Sequence, residues 1–293
     1  MGRGTGLFCY FLLLSIFNSF IFAQSEDTTG TLNSAQNDCW NRHIGIPTNT
    51  GIIGFGNSPR FTGLRINFSD CGVEKIDGIN LTLMWANNNP NSEVNGLAIG
   101  LVGPGAGRIN GIALAGIGMQ ATESITGFSF STFASSSEGK MTGVQIGGLA
   151  LISKGTMLGI NAAGFGIDGY SEVNGLSIGG VGLVSSKGMN GINIGGFATL
   201  SDGNITGINI AGFALYSFNE LSGLNLAGTI SSYNTTGVSA SLYHYSENRM
   251  KGISFSLFNY AAELLGIQIG IINIAQNNPF PFKVLPLINA HFY

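Results

Sequence analysis

The chain has 293 residues, of which only 9% are charged, and a net charge of −3, where ordinary soluble domains carry about 25% charged residues. Glycine accounts for 46 positions, about twice the usual share. There is no basic stripe, so nucleic acid is excluded as an expected partner, and low charge with abundant Gly, Ser, Thr and Asn disfavours a cytosolic enzyme and suits a β-repeat or outer-membrane protein.

Residues 1–23 read as a secretory signal peptide: Arg3 supplies the positive start, an apolar run extends from Leu7 to Phe22, and Ala23 is a small residue at the cleavage point. Cys9 lies inside that run without a small-residue cleavage pattern before it, which argues against a lipoprotein. Residues 24–60 are expected to form a flexible lead and an N-terminal cap. Gln24 to Asp38 is polar and lacks the apolar surface to fold alone; the segment after it is irregular, with Pro47 and Pro59. Beyond the signal only Cys39 and Cys71 remain. In an exported chain they form one disulfide, worth about 3–4 kcal/mol, or stand as two free thiols.

Residues 61–275 are a repeat domain. An Asn-Gly-apolar or Thr-Gly-apolar tripeptide recurs at Gly63, Gly78, Gly96, Gly111, Gly127, Gly143, Gly159, Gly175, Gly191, Gly207, Gly223, Gly237, Gly252 and Gly266; each step from Gly111 to Gly223 is 16 residues and the others run from 14 to 18. A fixed period of that size means serial copies of one small unit. Apolar residues sit two before the glycine (Met157, Met189, Ile205), one after it (Ile160, Ile192, Ile208) and three after it (Ile178, Ile194, Ile210), and a small polar or amide residue lies between the last two. This period-two alternation predicts strands with one dry and one wet face. Turns follow about ten residues after each glycine, as at Ser201-Asp202-Gly203-Asn204. Residues 276–293 are expected to be a C-terminal cap or closing strand. No segment after the signal has eighteen continuous apolar residues, so no membrane-spanning helix is expected.

The expected fold class is all-β, a parallel β-solenoid of about 14 short coils, with an antiparallel outer-membrane β-barrel as the alternative. In the solenoid each repeat is one coil and like positions stack about 4.8 Å apart. Gly143, Gly159, Gly175, Gly191 and Gly207 then take a corner that only glycine tolerates. Asn193, Asn209 and Asn225 form an amide ladder on the wet face, and Ile194, Ile210 and Leu226 stack inside. In a barrel neighbouring strands oppose each other, and short turns alternate with longer loops between aromatic girdles. All connections here look alike, and between Trp85 and Tyr216 the only Trp or Tyr is Tyr170, which favours the solenoid.

The runs Gly143-Val144-Gln145-Ile146-Gly147-Gly148-Leu149-Ala150 and Gly266-Ile267-Gln268-Ile269-Gly270-Ile271-Ile272-Asn273-Ile274-Ala275 resemble the bacterial surface repeat proteins best known from leptospires and also seen in Bacteroidetes. The ending, Leu-Pro-Leu-Ile-Asn followed by aromatic residues, is similar too. The resemblance implies an exported protein at the cell surface or outer membrane of a Gram-negative (diderm) bacterium, with no catalytic residues to carry over.

No catalytic, cofactor-binding or metal site is expected. Gly164 to Gly169 matches a dinucleotide fingerprint by letter, but no helix pattern follows it. Gly103 to Arg108 lacks the Lys-Ser/Thr ending of a phosphate loop. His43, His244 and His291 have no metal-ligand spacing. Glu123, Glu138, Asp168, Glu172, Asp202 and Glu220 fall near turns, where one acid per coil would draw an acidic line with weak affinity for calcium. Phe165, Phe197 and Phe213 share one repeat position, as core or as an exposed stripe. The functional expectation is a non-enzymatic exported surface repeat protein, a structural or adhesive scaffold meeting a protein or glycan partner at the cell surface and associated with the outer membrane. The alternative is a barrel acting as a pore or assembly component.

Overall fold

The computed structural model describes residues 39, 42–86 and 89–292; the expectations of a signal at 1–23 and a polar lead at 24–38 lie outside the described residues. Repeats lie side by side in the same sense. Lys140–Gly147 pairs in parallel with Met157–Ala163, which pairs with Glu172–Gly179, then Gly188–Gly195 and Asn204–Ala211. Each pairing sets repeat glycine opposite repeat glycine. A second, shorter ladder runs through Ala134–Ser137, Ala150–Ser153, Gly166–Gly169, Gly182–Ser185 and Ala198–Ser201, again parallel and in register. A 16-residue unit thus folds as one long strand, a bend, one short strand and a turn.

The chain is a parallel β-solenoid of about 11 turns, with no helix among the described residues. The barrel alternative is overturned, because a barrel of this kind needs antiparallel neighbours. About 11 turns are fewer than the 14 coils expected from the glycines. The coils of Arg60–Asn67 and Lys75–Thr82 have a strand on one side only, with loops closing the other, and the strand carrying Gly266 folds back into a terminal hairpin. Both ends depart from the parallel pattern. His43–Thr48 pairs antiparallel with Gly51–Gly56, which joins the first coil, and Val284–His291 pairs antiparallel with the last pass of Thr229–Ala275. Cys39 and Cys71 are both disulfide-bonded.

The repeat glycines sit within the long strands, as kinks rather than corners between strands. Gly143, Gly159, Gly175, Gly191 and Gly207 have φ between 111° and 121°. A Cβ on any of them would lie 2.0–2.2 Å from the carbonyl oxygen of the equivalent glycine one coil back. Both the backbone conformation and the close approach therefore demand glycine.

The interior corrects the sequence reading of which face is dry. The residue two before each glycine points inward: Ile109, Ile125, Met141, Met157, Val173, Met189, Ile205 and Leu221 are all at most 2% exposed. Opposite them, Leu151, Ile167 and Leu183 from the short strands, and Leu215 and Ile230 where Ala214–Leu226 and Thr229–Ala275 continue the same ladder, are at most 1% exposed. The residue two after the glycine is also inside, and it is polar: Asn193, Asn209 and Asn225 are 0% exposed. Leu226, expected inside, is 50% exposed, and Ile194 and Ile210 are only half-buried. The physical reason is parity. The strand continues through its glycine, so positions two before and two after share one face, and positions one and three after share the other.

Candidate functional site

The outward face of the long strands carries two adjacent apolar columns, bordered by a mostly polar column one residue before each glycine, as at Asn95, Asn110, Thr142, Asn174, Asn190 and Thr206. Taking the positions one and three after each glycine from Gly78 to Gly266 gives 26 residues, and every one is Ile, Leu, Val, Phe or Ala. None of them is buried. The first column is the most open, with Ile112 47%, Ile160 44%, Ile192 40% and Leu224 51% exposed. The face continues at the adjoining bend through Ile117, Phe133, Leu149, Phe165, Val181, Phe197 and Phe213, whose backbones hydrogen-bond in sequence from coil to coil. Phe197 and Phe213 stack with ring centroids 5.1 Å apart and planes inclined by 12°, and both are exposed; the aromatic position singled out in sequence is a surface stripe and not core.

Polar columns run both inside the coil and along the outer border of the apolar strip, where the Asn190 amide donates to Asn174 Oδ1 at 2.8 Å. The Asn193 amide donates to Asn209 Oδ1 and the Asn209 amide to Asn225 Oδ1, each at 2.9 Å. The ladder is interrupted at Ser177, whose hydroxyl reaches no partner; Asn161 on one side has neither side-chain oxygen nor nitrogen bonded, and Asn193 Oδ1 on the other is also unbonded. The same column begins with Arg65, two after Gly63, where sequence reasoning assigned nothing. Its side chain is 0% exposed and donates to Asp70 at 2.5 Å, Asn80 at 2.9 Å and Asn57 at 2.7 Å. The signal that would have found it is positional: an Arg occupies the slot that holds Asn, Ser or Gln in other coils. A second column missed in sequence consists of serines at the end of the short strands. Ser185 and Ser217 hydroxyls lie 2.8–3.1 Å from turn carbonyls, satisfying backbone that would otherwise be left bare.

His244 resembles a catalytic base only in its neighbours. Its Nδ1 lies 2.5 Å from Ser254 Oγ and its Nε2 3.1 Å from Thr235 Oγ1. The ring is 1% exposed, so no substrate reaches it, and burial pushes its pKa down to about 4. His291 Nδ1 donates to Asn278 Oδ1 at 2.6 Å, far along the chain from His244. Among the described residues no three His, Cys, Asp or Glu side chains are grouped to hold a metal ion.

The turn edge is charged but balanced. Arg108 pairs with Glu123 at 2.5 Å, Lys154 with Glu138 at 2.7 Å and Arg249 with Glu263 at 2.9 Å, each across neighbouring coils. Exposed pairs of this kind add little stability, but they cancel the charge of the edge. The acidic line that one acid per coil would draw is broken: Glu123 and Glu138 are matched by bases, and Gly188 and Asn204 stand in the column between Glu172 and Glu220. Asp168 lies in the short-strand ladder between Ile152 and Val184, where burial raises its carboxyl to about 6. The letter match at Gly164 to Gly169 is a bend and the strand Gly166–Gly169, and Gly105 to Arg108 opens the strand Gly105–Ala115; neither leads into a helix.

The residues that converge on an accessible surface are thus the apolar columns and the Asn, Thr and Ser column beside them, and the titratable groups with close partners are mostly enclosed or paired at the edge. No protein-family model, curated protein or solved structure matches this chain.

Proposed function

We propose that this protein is a non-enzymatic, exported repeat protein of a diderm bacterial surface, working as a structural or adhesive scaffold, in keeping with its resemblance to surface repeat proteins. The observation that carries the reading is the outward apolar face: 26 aligned positions without a charge or a polar side chain. An ordinary monomer exposes contiguous apolar patches of about 300–600 Å² at most. Thirteen rungs at about 4.8 Å make a strip roughly 58 Å long and about 12 Å wide, or on the order of 700 Å² before the adjoining bend is counted. A surface so large and uniform fits contact rather than chemistry. A protein or glycan partner at the cell surface, and association with the outer membrane, belong to the same proposal.

The test is address and adhesion together. The full chain expressed in a diderm host should be cut by protease added to intact cells, and cells displaying it should adsorb to an apolar surface. Retention of the chain in the cytoplasm would overturn the address. Adsorption unchanged when Ile192 and Ile208 are both replaced by Lys would overturn the role given to the face.

A further inference from the structure

We propose that two copies of this chain pack face to face through the outward columns of the long strands, forming a two-fold dimer; this rests on the reading that the apolar face is the working surface.

Three observations choose a second copy over other occupants. The first is area. A standard stable interface buries about 800 Å² per partner, and the strip with its adjoining Phe197 and Phe213 bend reaches that size. The second is chemistry. The face is built of Ile, Leu, Val and Phe with two Ala, and none of its 26 positions is Trp, Tyr, Lys or Arg. Surfaces that rest on lipid carry Trp or Tyr at the headgroup level and basic residues beside the apolar stripe. Here the bordering column is mostly Asn, Thr and Ser, with one basic residue, Lys251, and the coil edge beyond it carries cross-coil pairs such as Lys154–Glu138 and Arg108–Glu123. The third is spacing. Both copies offer rows of branched side chains with one repeat distance of about 4.8 Å, so the rows of one copy fall between the rows of the other, as in dry sheet-to-sheet packing. A two-fold axis needs only that this one surface complement itself, and the two apolar columns, free of charge themselves, carry no like-charge clash to forbid it.

Ile192 and Ile208, each 40% exposed, lie mid-strip on successive coils. Sedimentation equilibrium of the exported protein across the micromolar range should show a dimer. The double variant Ile192→Lys, Ile208→Lys should sediment as a monomer while its circular dichroism stays that of the wild type. If that variant fails to fold, the wild type alone still decides: binding of an apolar dye per chain should rise on dilution as the face is uncovered. A wild type that is monomeric throughout overturns the proposal, as does a monomer that floats with phosphatidylcholine vesicles, or a dimer that the double variant leaves intact. Surface exposure on cells together with a monomeric wild type would sink the dimer and leave the surface-scaffold reading standing.

Discussion

The Asn193 side chain donates to Asn209 one coil further along, at 2.9 Å and wholly out of solvent. Amides are tolerated inside from Asn193 to Asn225 because successive coils present the same group at the same height. Asn209 thereby finds both an acceptor and a donor, which is the condition for burying a polar side chain without loss.

Removing the middle member should expose that condition. Asn209→Leu keeps the branched shape, though with somewhat more bulk, and leaves the Asn193 amide and Asn225 Oδ1 unpartnered in the interior. Stranding two buried polar groups should lower the unfolding free energy by about 3 kcal/mol, read from the urea midpoint. A loss below about 1 kcal/mol, the net worth of one ordinary hydrogen bond, would contradict the interior ladder.

The converse substitution should stabilise. Ser177 separates Asn161 from Asn193, and all three have side-chain atoms without partners. Ser177→Asn extends the amide run across the gap and should raise stability by about 1 kcal/mol, seen as a higher melting temperature. An unchanged or lower value would show that the gap is already filled, by water or by a narrower cross-section.

The kink glycines separate from other glycines by backbone. Gly207 has φ 112°, and a Cβ there would stand 2.0 Å from the Gly191 carbonyl oxygen. Gly207→Ala combines strain in a region costing about 1–3 kcal/mol with a displacement of the neighbouring coil, and should lower the urea midpoint severely. Gly51, where a Cβ would meet nothing nearer than 3.5 Å, should accept Ala with a change within about 0.5 kcal/mol. Equal tolerance at both positions would contradict the kink geometry.

Acid should weaken the fold through His244. Burial lowers its pKa from 6.5 to about 4, so the folded chain keeps it neutral while the unfolded chain takes up a proton. Its contribution is complete above pH 6.5 and is lost as the pH falls toward 4, to a limit of about 3 kcal/mol. Asp168 acts in the opposite sense. Its carboxyl rises from 3.8 to about 6, so it favours the folded state more as the pH drops through that window. The measurement is therefore the difference in unfolding free energy between wild type and His244→Gln from pH 7 to pH 4, which should narrow on acidification. A difference independent of pH would remove His244 as the titrating group.

Much of the architecture was legible in the chain. Strict 16-residue steps from Gly111 to Gly223 make sense only if like stacks on like, and that condition selects parallel coils over an opposed barrel. The glycine column was legible for the same reason. What misled was the assumption that apolar side chains define the inside. Met189 and Asn193 are four residues apart in one continuous strand, so they share a face; Ile192 and Ile194 must take the other. Counting parity across Gly191 would have placed Asn193 indoors. Hydrophobicity pointed the other way because in a stacked array the neighbouring copy satisfies an amide as water would. Arg65 was hidden by the same bias, since a charged residue is read as solvated until a ring of Asp70, Asn80 and Asn57 is seen around it. The share of the interior held by Leu151 and Leu183 was missed because the short strands have four residues each around them, too few to show a period.

The uniform register has a consequence for size. Residues 188–203 are one full unit, and Glu172 meets Gly188 just as Gly188 meets Asn204. Excising that unit would bring Glu172 opposite Asn204 with the cross-section unchanged, and duplicating it would lengthen the molecule by one step of about 4.8 Å. Length here is a free parameter: the protein is a ruler whose graduations are interchangeable, and its reach from end to end can be reset in whole units by gain or loss of gene segments without any new packing solution.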